Sequence, residues 1–335
     1  MSVPRRYSAR ASSSWALSVP HSPPAGGLVE SNRIGAAPPA PPLGRWPNVP
    51  ARASLAPMKL TAACIQMRSG TEPEANLAAA TALIRQAAGQ GARFIATPEM
   101  TNLLDIRPGM ARPKVRTEAQ DESLPAFRAL ASELGITLLI GSLAIALEGE
   151  DRFANRSFLI GPDGGVLARY DKIHMFDVEV GDGQNYRESR AYRPGETAVL
   201  AAAPFGKLGL TICYDLRFPH LHRALAKAGA DILTIPAAFT KVTGEAHWHT
   251  LVRARAIETG CFVIAPAQAG KHEDGRETFG HSLIVSPWGE VLAEGSATEP
   301  GIVMAEIDLA DVAKARSRIP ALGNEQTFSL KTFGG

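Results

Sequence analysis

The pattern of hydrophobic and polar residues changes its period repeatedly from residue 58 onward. Short apolar runs rich in β-branched residues, such as residues 59–67 and 207–213, predict buried strands. Between such runs, apolar residues recur at helical spacing, as they do over residues 74–88. Further strands are predicted at residues 94–97, 137–140, 158–160, 166–170, 231–235, 261–266, 281–286, 291–293 and 302–307, and further helices at residues 123–134, 218–228, 245–259 and 309–317.

The order of these elements indicates the class of fold. Strands alternate with helices, and a hairpin with the turn sequence GPDGG at residues 161–165 is interleaved among them. A purely parallel sheet fits this order poorly, whereas a layered α/β domain with mixed sheets fits it well. No linker interrupts residues 58–335, which we therefore expect to form a single domain. The polar, glycine-rich segment 177–196 is expected to be a long functional loop.

The first 57 residues differ in composition from the remainder of the chain. They hold 11 of the 25 prolines and six arginines, but no lysine and a single acidic residue, Glu30. This Pro/Ala/Arg-rich composition predicts a disordered extension, and Met58, directly before the first predicted strand, is a candidate start of translation. The 335 residues carry a net charge of +2, whereas residues 58–335 hold 29 basic and 32 acidic residues, a net of −3. This charge gives no support for nucleic-acid binding.

Cysteine usage and hydropathy bear on the compartment. The three cysteines, Cys64, Cys213 and Cys261, are too few for a disulfide framework and odd in number, which favours a reduced, cytoplasmic setting. No apolar run reaches the roughly 18–20 residues that a membrane-spanning helix needs. The first residues also lack the apolar core of a secretory signal. We therefore expect no membrane partner.

The segment TICYDLRFP at residues 211–219 is the sharpest local signal for chemistry. An apolar strand is predicted to end at Cys213 and to turn at once toward a helix. This is the arrangement of a nucleophile elbow, in which the side chain projects beside exposed backbone N–H groups. A thiol in that position needs a base to deprotonate it before it attacks. The alternative is that Cys213 is a small buried hydrophobic residue. We expect that role for Cys64 and Cys261, which lie inside apolar strands.

Three charged residues are candidate partners for this thiol. Glu99 follows a predicted strand in FIATPEM, at the edge where α/β sheets build their sites, and could act as a general base or acid. Lys172 lies just past another strand, in RYDKIHMF. Glu188 lies in the polar loop and has the weakest independent signal. Each of the three could equally be an ordinary solvated side chain when its own segment is considered alone.

Taken together, these four residues resemble the Glu–Lys–Glu–Cys set of the nitrilase superfamily of carbon–nitrogen hydrolases. Glu99, Lys172, Glu188 and Cys213 occur in the same order, with separations of 73, 16 and 25 residues. The similarity extends from about residue 59 to about residue 330. It includes the segments AHWHTLVRARAIETGCFVIAPAQAG at 246–270 and GHSLIVSPWGEV at 280–291.

The resemblance implies a fold, an assembly and a reaction. The fold would be a four-layer α-β-β-α sandwich, usually found as a homodimer that pairs partly through the helix after the nucleophile, here residues 217–228. The reaction would be hydrolysis of a small carboxylic amide through a thioester on Cys213, with Glu99 as base and acid, Lys172 at the oxyanion and Glu188 orienting Lys172. Such chemistry requires neither a metal ion nor another cofactor.

The flanking segments look closest to the branch that contains deaminated glutathione amidases. A neighbouring activity, that of ω-amidase on α-ketoglutaramate, and a broader aliphatic amidase remain alternatives, as does a non-catalytic binding protein on the same fold. Such oxo-acid substrates would need a cation for their carboxylate, and Arg217 is one candidate; its alternative role is at a helix start or a dimer interface. Tyr214, Phe218, His247 and Trp248 are candidate pocket residues, although Trp248 could instead pack its helix against the core.

Overall fold

The computed structural model describes residues 59–181 and 185–333, so the predictions made for residues 1–57 and for Met58 lie outside the described residues. In chain order the strands are β1 (Lys59–Gln66), β2 (Phe94–Ala96), β3 (Arg116–Thr117), β4 (Thr137–Ala146), β5 (Phe153–Ile160), β6 (Val166–Asp171), β7 (Asp177–Glu179), β8 (Asn185–Arg187), β9 (Val199–Ala203), β10 (Gly206–Leu210), β11 (Ile232–Thr234), β12 (Phe262–Ala265), β13 (Ala269–Lys271), β14 (Glu277–Phe279), β15 (Leu283–Val285), β16 (Val291–Glu294) and β17 (Gly301–Asp308). The α-helices are α1 (Pro73–Gly89), α2 (Ser123–Leu134), α3 (Pro219–Lys227), α4 (Lys241–Thr259) and α5 (Ala310–Arg318).

Two mixed sheets form the centre of the fold. The first has the strand order β17-β1-β2-β4-β5-β6, with β3 paired to β4. The second has the order β16-β15-β12-β11-β10-β9. In each sheet the inner strands are parallel (β1, β2 and β4; β10, β11 and β12). The strands beside them, β17 and β5 in the first sheet and β9 and β15 in the second, pair antiparallel to them, whereas the short β3 pairs parallel to β4. The mixed character that the sequence predicts is thereby confirmed.

Strand β1 shows how the layers are stacked. Ala62 and Cys64 point into the core between the two sheets, where they join residues of β10 and β11. Ala63 and Ile65 alternate with them and face the opposite side, where they pack under helices α1 and α2. Helices α3 and α4 contribute to the core on the side of the second sheet. The order of layers is therefore helix, sheet, sheet, helix, and strands buried on both faces explain the continuous apolar runs of the sequence.

The predicted elements follow the order of the observed ones, with several informative differences. The helix predicted at residues 245–259 begins earlier, at Lys241, and the strand predicted at 207–213 ends at Leu210. The polar segment 177–196 contains the short hairpin β7–β8 rather than loop alone. Strands β3 and β9 were not predicted, and neither was the second hairpin, β13–β14, whose strand sequences AGK and ETF contain no apolar run. No helix among the described residues is long and apolar enough to cross a bilayer.

Candidate active site

The ends of strands from both sheets bring the four candidate catalytic residues together. Glu99 lies three residues after β2 in the first sheet, and Cys213 lies three residues after β10 in the second. Lys172 follows β6 directly, and Glu188 begins a 3₁₀ turn after the hairpin β7–β8. Glu99, Lys172 and Cys213 are buried, with 3%, 2% and 7% of their surfaces exposed. One site therefore draws on four separate segments of the chain.

Cys213 occupies a strained turn between strand and helix. Its φ is +46°, in the left-handed region that non-glycine residues rarely adopt, and it begins the 3₁₀ turn Cys213–Arg217. Its N–H donates to the carbonyl oxygen of Pro236 at 2.9 Å, which ties the turn to the end of β11. Met100, directly after Glu99, also has a positive φ of 57°. Two of the three described non-glycine residues with positive φ thus flank the site, and the surrounding contacts must hold them there.

Asp215 provides much of that support, and the sequence analysis missed it. Its side chain is fully buried and accepts hydrogen bonds from the N–H of Ile212 at 2.9 Å and from the hydroxyl of Tyr170 at 2.6 Å. Its other oxygen lies 3.1 Å from the backbone nitrogen and 2.7 Å from Nδ1 of His174. An acid two residues after the candidate nucleophile, in the segment CYDLRF, was the available signal. Asp215 therefore stabilises the turn at Cys213 and connects it to β6, the strand directly before Lys172.

The three charged candidates form one continuous network. The Nζ atom of Lys172 lies 2.8 Å from Oε1 of Glu99. It also lies 3.0 Å and 2.8 Å from the two carboxylate oxygens of Glu188. An ammonium group with two carboxylates is held in a fixed position by charge-assisted hydrogen bonds. The structure therefore brings together the lysine and both glutamates that the sequence analysis singled out.

Further donors fix the two carboxylates. The side-chain amide of Asn155 donates to Glu99 at 2.9 Å and to Glu188 at 3.1 Å. Backbone N–H groups complete the set, that of Ala238 to Glu99 at 2.8 Å and that of Phe176 to Glu188 at 2.7 Å. Asn155 is fully buried on β5, and its Oδ1 has no partner, because the amide must turn its donors toward the carboxylates. Sequence reasoning missed Asn155, whose signal was a polar residue inside a buried strand.

The electrostatics favour a neutral thiol beside an ionised base. Burial raises the pKa of Cys213, and the negative charge of Glu99 and the hydrogen bond to it raise that pKa further. Burial also acts to raise the pKa of Glu99, but the charge of Lys172 and its hydrogen bond outweigh this and leave that pKa below its ordinary value. For Lys172, burial acts to lower the pKa, and Glu188 and Glu99 together raise it well above its ordinary value. The resting pair is thus a thiol and a carboxylate that can accept its proton.

A cavity of about 400 Å³ opens over these groups and is lined by Glu99, Lys172, Glu188 and Cys213. Its lining carries more cations than carboxylates, so the cavity favours an anionic ligand. Among the described residues the lining cations are Arg107, Arg112, Lys172, Arg187, Arg190 and Arg276, and the lining carboxylates are Glu99, Asp105, Asp151 and Glu188.

Of the five residues predicted to form the substrate pocket, one lines the cavity and four lie outside its lining. Tyr214 lines the cavity. Arg217 lies outside the lining, with its guanidinium 3.3 Å from Nδ1 of His247 and stacked over the ring of Phe239. His247 is exposed, and the ring of Phe218 stacks on that of His174. Neither His247 nor Phe218 lines the cavity. Trp248 is fully buried and donates from its indole N–H to the carbonyl of His281, so it packs helix α4 against the core.

One group of histidine and carboxylate side chains in the described part of the chain lies close enough to bind a metal ion. His249, His281 and Glu294 have ligand atoms within 4.8 Å of one another. Glu294 already accepts a hydrogen bond from each histidine, at 3.0 Å and 2.6 Å, which explains the cluster without an ion. This cluster lies apart from the cavity lining, and the chemistry of the four site residues gives a metal no role.

Comparisons with known proteins agree with this geometry. Residues 61–317 match the family model described as carbon–nitrogen hydrolase. A protein of Synechocystis sp. named deaminated glutathione amidase is 41% identical over 264 residues, which cover 78% of this chain and 96% of that protein. A Bos taurus protein of the same name is 39% identical over 285 residues, covering 84% of this chain and 85% of that protein.

Solved structures are similar as well. The C. elegans NitFhit protein superposes with a TM-score of 0.75 and 34% identity, covering 81% of this chain and 66% of that longer chain. Nit3 of Saccharomyces cerevisiae, described as a member of branch 10 of the nitrilase superfamily, superposes with a TM-score of 0.71 and 29% identity. That match covers 78% of this chain and 95% of the yeast chain.

Proposed function

The chain belongs to the carbon–nitrogen hydrolase family and hydrolyses amides, and we propose that its substrate is deaminated glutathione, which it cleaves to 2-oxoglutarate and cysteinylglycine. The observation that carries the proposal is the cavity, which places Cys213, Glu99 and Lys172 beneath a lining with an excess of positive charge. Deaminated glutathione is a linear amide with two carboxylates. Its amide suits the cysteine, glutamate and lysine of the site, and its carboxylates suit the positive charge of the lining. The names of the relatives in Synechocystis and Bos taurus point to the same compound.

Acylation begins at the thiol. The Glu99 carboxylate takes the proton from Sγ of Cys213, and the thiolate attacks the amide carbonyl carbon. The oxyanion that forms is stabilised by the Lys172 ammonium and by a backbone N–H, for which Tyr214 is the nearest in sequence to the nucleophile. Protonated Glu99 then gives its proton to the departing nitrogen as the C–N bond breaks. A thioester between Cys213 and the 2-oxoglutaryl group remains.

Deacylation reverses these roles. The Glu99 carboxylate accepts a proton from water, and the resulting hydroxide adds to the thioester carbonyl. The C–S bond breaks, the free acid leaves, and the proton on Glu99 returns to the Cys213 sulfur. Throughout both steps the hydrogen bond from Lys172 to Glu188 holds the ammonium in place, and that from Asn155 to Glu99 holds the base.

A comparison of two amides tests this assignment. The purified chain should hydrolyse deaminated glutathione with a higher kcat/KM than α-ketoglutaramate, and Cys213→Ala should release no 2-oxoglutarate while its far-UV circular dichroism stays unchanged. A strong preference for α-ketoglutaramate would make the chain an ω-amidase instead. Retained turnover in the Cys213→Ala variant would exclude the thioester route. The neutral amide propionamide serves as the test for a broader aliphatic amidase.

We further propose a cytoplasmic homodimer. Six large apolar side chains among the described residues are more than half exposed, and a second copy could cover them: Ile257, Trp288, Ile319, Phe328, Leu330 and Phe333. All three cysteines are unpaired, as expected in a reducing compartment. Light scattering coupled to size-exclusion chromatography tests the dimer, and Trp288→Glu should shift it toward the monomer. A monomeric wild-type chain would contradict the proposal.

A further inference from the structure

Arg276 is an arginine of the cavity lining whose guanidinium has no partner in the described chain. It ends the turn between β13 and β14 and lines the same cavity as Cys213. Its Nε is buried and makes no hydrogen bond, and its guanidinium forms no ion pair with any described carboxylate. A buried donor that lacks an acceptor costs about 1–3 kcal/mol, so such an arrangement is expected where a ligand supplies the acceptor.

Nearby carboxylates are committed elsewhere, which is why Arg276 remains free. Asp274, two residues earlier, accepts from the backbone nitrogens of Ile106 and of Arg276 itself, both at 3.0 Å. Glu273 accepts from the backbone nitrogen and the hydroxyl of Thr71, at 2.8 Å and 2.9 Å. These two acids bind donors of Thr71 and Ile106 and the backbone of the turn, and neither forms an ion pair with the guanidinium.

The other arginines of the lining differ from Arg276 in this respect. Arg107 binds Asp105 through two hydrogen bonds, at 2.8 Å and 2.7 Å. Arg112 and Arg187 have carboxylate neighbours at 3.6 Å and 2.9 Å, and Arg190 is exposed. Arg276 is therefore the lining arginine that combines a buried donor with an unpaired charge among the described residues.

The turn that carries Arg276 is held rigidly. The ring of His272 is buried between the carbonyl oxygen of Ser69, 2.9 Å from Nδ1, and the hydroxyl of Thr278, 2.7 Å from Nε2. The backbone nitrogen of His272 donates to the carbonyl of Arg276 at 2.8 Å. The backbone from which Arg276 extends is therefore held in place, and the planar fork of its guanidinium matches the two oxygens of a carboxylate.

We propose that Arg276 is the carboxylate-binding subsite of the cavity and binds one of the two carboxylates of the amide substrate. The inference rests on the proposed function only for the identity of that substrate. Arg217, the cation that the sequence suggested for this role, lies outside the cavity lining and faces His247. Arg276 is a binding residue and takes no part in proton transfer, so its loss should raise KM more than it lowers kcat.

Direct binding measurements test the subsite without turnover. In the Cys213→Ala background, calorimetric titration with deaminated glutathione should give about 10-fold to 100-fold weaker binding for Arg276→Gln, and Arg276→Lys should lie between the two. Arg85→Gln, at an exposed ion pair on helix α1, controls for the loss of one positive charge. Equal affinity with and without Arg276, or no binding to the Cys213→Ala chain, would overturn the proposal.

Kinetics with three amides separate this proposal from the proposed function. Arg276→Gln should lower kcat/KM for deaminated glutathione and leave that for propionamide unchanged. A parallel loss for α-ketoglutaramate would assign Arg276 to the oxo-acid carboxylate, and no loss for α-ketoglutaramate would assign it to the glycine carboxylate; both outcomes support the subsite. A wild-type chain that prefers propionamide would refute deaminated glutathione as substrate, while the calorimetric comparison still decides the role of Arg276.

Discussion

The hydroxyl of Tyr170 donates a 2.6 Å hydrogen bond to the carboxylate of Asp215, and both side chains are almost fully buried. Tyr170 belongs to β6 in the first sheet, two residues before Lys172. Asp215 belongs to the turn after β10 in the second sheet, two residues after Cys213. This contact therefore sets the distance between the ammonium that stabilises the oxyanion and the thiol that attacks.

Replacing Tyr170 with phenylalanine tests that relationship. The variant keeps the ring but removes the donor, so we expect a loss of about 1–3 kcal/mol in the free energy of unfolding, because the buried Asp215 oxygen loses one partner. We also expect a lower kcat at nearly unchanged KM, since the reacting groups shift while the cavity is preserved. Urea unfolding and steady-state kinetics measure both effects. An unchanged kcat would show that the contact only stabilises the fold.

Gly141, on β4, lies between the segment that leads to the base Glu99 and Pro236, whose carbonyl oxygen accepts the N–H of Cys213. A methyl group at this position would collide with the carbonyl oxygens of Thr97 and Pro98 and with the side chain of Pro236. Gly141→Ala should therefore lower the free energy of unfolding by about 3 kcal/mol and reduce kcat by at least about tenfold, because Glu99 and Cys213 are pushed apart. Gly89→Ala is the control, since open space surrounds Gly89. Equal effects of the two variants would contradict this account.

His222 predicts a pH dependence of stability. Burial lowers its pKa in the folded chain to about 4, below the ordinary value of 6.5. The unfolded chain therefore binds the proton first, so the stability is fully present above pH 6.5 and falls as the pH decreases from 6.5 to 4, by about 3 kcal/mol. His222→Gln should flatten this part of the stability curve. Urea titrations across this pH range measure it, with His220→Gln, an exposed position on the same helix, as the control.

The boundary suggested by the composition is also testable. A chain that begins at Met58 should keep the kcat/KM and the melting temperature of the full chain, because β1 begins at Lys59 and every residue assigned to the site follows it. Parallel purification of both chains, with activity assays and thermal melts, provides the comparison. A loss of activity in the shorter chain would reveal a role for residues 1–57.

The sequence allowed the fold class and the catalytic candidates to be predicted. Strands that are buried on both faces, such as β1, leave a continuous apolar run, and helix α1 leaves a regular spacing of apolar residues. Glu99, Lys172 and Cys213 could be singled out because each follows such a run. The resemblance of their order and spacing to a known family then connected them. The β13–β14 hairpin left no comparable pattern, because its strand sequences, AGK and ETF, contain no apolar run.

Only the tertiary structure could identify the residues that act through contacts between distant segments. Asn155 and Asp215 look like ordinary polar residues along the chain, and their roles arise because β5, β6 and the elbow after β10 meet. Arg276 has no local signal at all, since its importance depends on where Asp274 and Glu273 direct their oxygens. The sequence by itself determined which segments are buried and which groups can react, because burial and reactivity follow from residue type and periodicity. Which charges meet and which remain unpaired was decided by packing, because that depends on distances between residues far apart in the chain.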